Sequence, residues 1–150
     1  MEPLIETWQI AARLCLYLLE AIPPEQMATP LAKGKTVEGG FSHIHSVRLM
    51  WLKVCAPDLH ATLTKPEPGA PKEEIAAALA ASAEAMEEVF RRAGSPEGKV
   101  KGFKPHAADF LGYLIAHEAF HRAQIELALR QAGTPLDDRV AYGLWEWGVR

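Results

Sequence analysis

The stretch that most constrains the fold of this chain runs from Pro105 to Gly133, where apolar residues recur at steps of three and four. That spacing is the period of an α-helix that buries one face. The apolar positions are Phe110, Leu114, Ile115, Ile125, Ala128 and Leu129. Arg130 lies in the expected last turn, and Gly133 and Pro135 follow it, as is common where a helix ends. The pattern predicts one long amphipathic helix.

Two histidines of this helix are placed to act together. His117 and His121 are four residues apart, so they lie one turn above each other on the same face. They continue the apolar stripe, which predicts that both imidazoles point inward. A buried imidazole needs a polar partner, and a divalent metal ion is one that two histidines can share.

Three more amphipathic helices are predicted before this one, over residues 3–21, 37–56 and 71–93. Thr36 is a suitable N-cap for the second of them, and Pro71 suits the first position of the third. No segment alternates polar and apolar residues as a half-buried strand does. The chain is therefore predicted to be an all-α protein, a four-helix bundle.

The remaining segments fit that bundle. Residues 58–70 contain Pro66 and Pro68 and are predicted to form a loop, and residues 137–150 are predicted to add a short C-terminal helical extension. That extension carries large apolar side chains, which should pack against the bundle or a partner. They are Leu144, Trp145 and Trp147. The length favours a single domain over residues 1–150.

A third histidine comes from the second predicted helix. His43 shares a face with Val47, Met50 and Val54, and this apolar company predicts that it points inward. His45 lies about 200° away, at about 100° per residue, so it is predicted to point outward or toward a neighbour.

Facing helices of a bundle can bring such side chains to one place. We therefore predict that His43, His117 and His121 bind one divalent metal ion. Three neutral imidazoles with one open position suit zinc, and nickel or another late divalent ion would also fit. The alternative is that each is an ordinary core histidine, hydrogen-bonded to its neighbours.

Charged residues near these histidines are candidates for further roles. Residues 117–121 match the HExxH pattern of zinc metallopeptidases, which makes Glu118 a candidate general base, although no strand and no clear third downstream ligand accompany it. The same glutamate echoes the ExxH motif of di-iron bundles, of which the sequence has no second copy. Arg48 and Arg122 are candidates for holding an anionic substrate, and the alternative for each is pairing with a carboxylate such as Glu118.

Composition excludes several function classes. The net charge is −3 and the basic residues are scattered, so no nucleic-acid partner is predicted. The apolar run over residues 10–22 is too short and too interrupted by charge to span a bilayer, so no membrane role is predicted and a cytoplasmic location is expected. Cys15 and Cys55 lie far apart in apolar helical contexts, which is typical of buried thiols.

Two segments resemble the DinB-like family of four-helix-bundle proteins: HIHSVRLMWL in the second helix and HEAFHRAQIELALRQAG in the fourth. The markers are a histidine eight residues before Trp51 and the pattern HxxxHR-x-Q-I. The resemblance extends over nearly the whole chain, to the terminal GLWEWGVR. The family includes damage-inducible bacterial proteins and related thiol-dependent transferases.

The resemblance implies a metal site and a homodimer. The family's metal-binding histidines correspond to His43, His117 and His121 here. The chain departs from the family pattern at Phe120, where many members have a further histidine, and at Ala123, where many have glycine. Neither departure removes a ligand, but Phe120 makes the expected pocket more apolar.

Two functions follow as hypotheses. In the first, the chain is a metal-dependent enzyme that activates a thiol or water against an unknown small molecule, as an S-transferase or a hydrolase, with a low-molecular-weight thiol as one expected partner. In the second, it is a non-catalytic metal- or ligand-binding bundle that acts as a homodimer. A free coordination position with a general base within reach would separate the two.

Overall fold

The computed structural model describes residues 2–149, and it is helical throughout apart from turns and connectors. The helices are α1 (Glu2–Ala21), α2 (Val37–Cys55), α3 (Pro57–His60), α4 (Lys72–Ala93), α5 (Ala107–Gln131) and α6 (Asp138–Gly143). Four of them are long and no segment of the described chain is a strand, which confirms the predicted all-α bundle with a short C-terminal helix. Within the same residues, every helix lacks the length or the apolar character needed to traverse a bilayer.

The ends of the helices follow the local chemistry of the sequence. The Gly39 amide donates to the Thr36 hydroxyl at 3.1 Å, so Thr36 caps α2 as predicted. Gly94 ends α4 with a left-handed φ of 78°, a conformation that glycine adopts without steric penalty. The predicted loop after α2 is partly wrong, since Pro57–His60 forms the single turn of α3 before the chain becomes irregular.

Helix packing places the two histidine-bearing helices side by side. Both α1 and α2 contact both α4 and α5, so each of the first two long helices has the last two as neighbours. The polypeptide between α1 and α2 also contributes to packing. Met27 is buried in an apolar cluster with Phe41 and Ile125, and Leu31 packs against that cluster. Consequently α2 and α5 can present side chains to one another along their length.

The core consists of two apolar clusters. One is built around Trp8, Phe90 and Phe110, and the other around Phe41 and Ile125. Arg48 contacts both of them. Its guanidinium lies 5.0 Å from the centre of the Trp8 ring, and it donates to the Leu79 carbonyl at 2.8 Å. A charged side chain therefore lies at the junction of the two clusters.

Our prediction of the buried face of α2 is wrong. Met50 is 51% exposed and Val54 is 43% exposed, whereas Phe41, Ile44 and Leu52 are fully buried. The helix has apolar residues on more than one side, so period alone did not single out the buried face. A stripe through residues 41, 44, 48 and 52 forms the true core face.

The C-terminal segment packs as predicted at two of its three large apolar residues. Leu144 is buried, and Trp147 packs against the cluster that contains Phe41. Trp145 does not pack against the bundle, since 82% of its surface is exposed, and the other predicted contact, with a partner, stays a prediction.

Candidate metal centre

Three histidine rings meet where α2 and α5 run side by side. The ring centroid of His43 lies 5.4 Å from that of His117 and 4.4 Å from that of His121, and the two rings on α5 are 4.5 Å apart. One nitrogen from each ring can be chosen so that all three lie within 4.8 Å of one another. We refer to these three residues as the histidine cluster.

The cluster lies at the edge of the core rather than inside it, which corrects the prediction that these histidines point inward. All three rings are half-buried, and the innermost positions of α5 next to them are Glu118 and Arg122. The position follows from the bundle geometry, because the seam between two adjacent helices is covered on one side only. The other side of the cluster is open to the surface.

The surroundings keep the histidines neutral. Burial lowers the pKa of His43, and the nearby charge of Lys35 lowers it further. Burial also lowers the pKa of His117, although the carboxylate of Glu118 acts in the opposite direction. The pKa of His121 falls to about 4 because of burial and the proximity of the other two rings. At neutral pH each ring therefore has a lone pair available for a cation.

Hydrogen bonds orient one ring and leave another unpaired. The Nδ1–H of His121 donates to Oε1 of Gln124 at 3.0 Å, which leaves its Nε2 as the lone-pair nitrogen. The buried Nδ1 of His117 has no hydrogen-bond partner within the described chain. Buried polar nitrogens are rarely left unpaired, so this atom indicates a missing partner.

The residues present fit a divalent metal ion. Zinc–nitrogen bonds are about 2.0–2.1 Å, so nitrogens that share one tetrahedral ion lie about 3.3 Å apart. The observed limit of 4.8 Å is within reach of that arrangement through small side-chain rotations. The unpaired nitrogen of His117 and the neutral state of all three rings also suit such an ion.

A buried ion pair lies beside the cluster. The Nε and Nη2 groups of Arg48 donate to the two carboxylate oxygens of Glu118 at 2.7 and 2.9 Å, and each side chain is only 1% exposed. The thiol of Cys15 donates to the same carboxylate at 3.2 Å, and Arg122 donates to the Cys15 sulfur at 3.3 Å. Burial and the charge of Glu118 raise the pKa of Cys15 to about 12, so it is a thiol at neutral pH.

This arrangement bears on the predicted roles of these residues. Both oxygens of Glu118 already accept from Arg48, so the geometry supports the carboxylate–arginine pairing that we gave as the alternative. Arg48 and Arg122 are buried in the same network rather than lining an open surface. Neither the general-base role of Glu118 nor the substrate-binding role of the two arginines gains support from their placement.

His45 takes one of its two predicted orientations, toward a neighbouring helix and not toward solvent. It is 1% exposed. Its Nε2–H donates to the Thr64 carbonyl at 2.8 Å, and its Nδ1 lies 3.0 Å from the hydroxyl of Ser82. Both ring nitrogens are satisfied, so His45 is a hydrogen-bonded core histidine that ties α2 to α4 and to the loop after α3.

Comparison with known proteins decides the family. A sequence model of the DinB family matches residues 2–138. The chain belongs to the DinB family. A search of curated proteins found no match. The match spans all four long helices and therefore includes every residue of the histidine cluster.

Two clefts give access to the cluster of this DinB protein. The larger, which we call the α5 cleft, has a volume of about 600 Å³ and lies between residues 30–35 and α5, with His43 and His121 in its wall. The smaller, of about 430 Å³, lies between α2 and the loop after α3 and also contains His43. The Phe120 ring, 60% exposed, lines the α5 cleft, so this departure from the family pattern lies beside the cluster and not in the core.

The lysines of these clefts were not predicted from the sequence. Lys35 lines both of them, Lys33 lines the α5 cleft, and Lys65 lines the smaller one. Isolated lysines in polar connectors look like ordinary surface residues, and nothing in their spacing relates them to the histidines. Only the path of the folded connectors brings them near.

Proposed function

We propose that this DinB-family protein is a metal-dependent enzyme that acts on a small molecule. In this proposal His43, His117 and His121 hold one divalent ion, zinc or nickel. The observation that carries it is the set of three neutral imidazole nitrogens within 4.8 Å of one another, one of them buried without a partner. Nitrogen ligands in this number favour a late divalent ion over magnesium or calcium, which prefer oxygen.

A divalent ion held in this way supplies Lewis acidity, which lowers the pKa of a bound water or thiol toward 7. The chain's own residues prepare the site for it. The hydrogen bond to Gln124 fixes the orientation of the His121 ring, so its Nε2 lone pair already points in one direction before an ion binds. Because His43 and His121 border the α5 cleft, a substrate approaches from that side. The reaction types that suit the site are S-transfer from a low-molecular-weight thiol and hydrolysis.

Glu118 enters this proposal as a positioning residue. It follows His117 directly in α5 and binds Arg48, which lies five residues after His43 in α2. The ion pair thus ties together the two helices that carry the ligands. Glu118 would hold α2 and α5 in register rather than act as a base, because both oxygens of its carboxylate already accept hydrogen bonds from Arg48.

Metal analysis tests the proposal. We expect protein purified without chelator to contain about one zinc or nickel per chain, and His117→Ala to lose it. His45→Ala is the matched control, since it removes a buried histidine outside the cluster and should leave the metal content unchanged. Wild-type protein that contains no divalent metal and takes up none on titration would contradict the proposal.

A second function is supported by a different observation. Trp145 and Tyr142 are 82% and 73% exposed at the C-terminal end, an unusual exposure for large aromatic side chains. We propose that this surface joins two copies of the chain in a homodimer. In this second function the dimer is a metal- or ligand-binding protein that catalyses no reaction. Metal-loaded protein that forms dimers but does not react with thiols would favour this function over the enzyme.

We also propose a cytoplasmic location. Both Cys15 and Cys55 are free thiols. Free thiols without disulfides are usual in reducing compartments. Fractionation of cells that produce the protein tests this.

A further inference from the structure

We propose that the α5 cleft binds an amphipathic organic anion, with the acidic group at Lys35 and the apolar part against Phe120 and Leu127. The inference deepens the proposed function, on which it rests, by naming the substrate class. The chemistry of the ligand is that of a carboxylate on a compact apolar body.

The charge of the cleft has one sign. Among the residues that line it, the charged side chains are Lys33 and Lys35, and none is acidic. Lys35 and His43 line the α5 cleft together, and both also line the smaller cleft, so the lysine lies near the cluster. A cleft lined by one sign of charge attracts ligands of the opposite sign.

The segment that carries the lysines is held in a defined shape. The Leu31 amide donates to the Lys35 carbonyl at 2.7 Å, and Pro30 and Thr36 form a bridge that closes the segment. Lys33 has a φ of 59° between them, a left-handed conformation that is uncommon outside glycine. Such strain persists only where the surroundings determine the backbone, and it often lies at ligand-binding segments.

A glycine lets this segment approach the two helices. A side chain at Gly40 of α2 would lie 3.1 Å from both Leu31 and Ile125 of α5. The absence of a side chain there allows Leu31 to pack close to α5. The lysine-bearing segment is therefore seated against the helices that carry the histidine cluster.

The opposite wall is apolar and exposed. Phe120 is 60% exposed and Leu127 is 52% exposed, and they are seven residues apart on α5, so they lie on one side of the helix. Gln124 lies between them and also faces the cleft. A ligand that is only an anion would leave this apolar surface uncovered, whereas an amphipathic anion would cover it.

Calorimetric titration with three probes tests the proposal: 3-phenylpropionate, its uncharged analogue 3-phenylpropionamide, and acetate. We expect 3-phenylpropionate to bind at least about tenfold more tightly than either of the others, because only it satisfies both walls. Equal affinity for the acid and the amide would overturn the anion site. Equal affinity for acetate and 3-phenylpropionate would overturn the apolar wall, and no binding of 3-phenylpropionate at millimolar concentration would overturn both.

Variants locate the site. Lys35→Met should weaken 3-phenylpropionate about tenfold, Lys35→Arg should retain most of the affinity, and Leu127→Ser should weaken 3-phenylpropionate more than acetate. Lys101→Met removes an exposed lysine of the connector before α5 and should change nothing. Unchanged binding in Lys35→Met would place the ligand elsewhere and overturn the assignment.

The titrations are run on metal-loaded and chelator-treated protein, which separates the two proposals. Binding that depends on Lys35 in protein that neither contains a divalent metal as purified nor takes one up on titration would sustain the anion site and refute the metal-dependent function. Protein that holds one metal ion per chain but does not distinguish acid from amide would do the reverse.

Discussion

Glu118→Gln should strongly destabilise the metal-free protein, because it removes the charge that compensates Arg48 in the core. Both side chains are 1% exposed, so water cannot solvate the arginine once its partner is neutral. Breaking a buried ion pair from one side costs about 3–5 kcal/mol. The glutamine oxygen can still accept one of the two N–H groups, but its amide would then oppose the other, so we expect at least about 3 kcal/mol.

Urea denaturation followed by circular dichroism at pH 7 measures this effect. With a slope of about 2 kcal/mol/M, the midpoint should fall by about 1.5–2.5 M while the slope stays constant. The control is Arg92→Met, which breaks the surface pairs of Arg92 with Asp58 and with Glu88, whose side chains are 45%, 61% and 42% exposed. Exposed pairs often contribute nothing measurable, so its midpoint should not move. A change in Glu118→Gln as small as that of the control would refute the reasoning.

The double variant Arg48→Met/Glu118→Leu separates stability from positioning. Removing both charges together should restore the unfolding free energy to within about 1 kcal/mol of wild type, since apolar replacements of buried pairs are often neutral. If the pair also fixes the register of α2 against α5, metal affinity should remain about 10–100-fold weaker in this stable variant. Wild-type metal affinity in the double variant would exclude a positioning role.

Two further predictions concern the thiols and the C-terminal surface. Native protein should react with a thiol reagent at Cys55 only, even at pH 10, because Cys15 is fully buried and its pKa is raised to about 12. Mass spectrometry of the labelled protein identifies the modified residue, and rapid labelling of Cys15 would contradict the buried network. Trp145→Ser should shift the sedimentation coefficient from dimer to monomer without changing the helical content, and a wild-type protein that is already monomeric at high concentration would refute the homodimer.

The extent of the long helices could be predicted from sequence because it depends on local chemistry. Thr36, Pro71 and Gly133 mark helix ends whatever the rest of the chain does, and the α-helical period is visible within each segment. The meeting of the three histidines was also predictable, since two share one helix face and the third lies on another long helix of a small bundle. Neither inference required knowledge of distant contacts.

The orientation of the helices could not be predicted in the same way. Between Leu114 and Ile125 the buried positions of α5 are Glu118 and Arg122, which a hydropathy pattern assigns to the surface. They are buried because their partners, Arg48 and Cys15, come from segments that are 70 and 107 residues away along the chain. A rule based on local period therefore placed the histidines at the centre of the core and the ion pair at its edge, the reverse of their true positions.

That reversal has a chemical consequence. A metal ion surrounded by core side chains would have its coordination closed by protein, as structural sites do, whereas catalysis needs a position open to substrate. The ion pair of Arg48 and Glu118 lies in the enclosed core, where the two charges compensate one another at 2.7 Å. The neutral histidines lie in the half-buried seam beside the α5 cleft. The same two helices thus provide a rigid junction on their inner side and, next to it, an accessible set of nitrogen atoms that could hold a metal ion. Loosening the inner contact should therefore weaken metal binding even though no ligand has been changed.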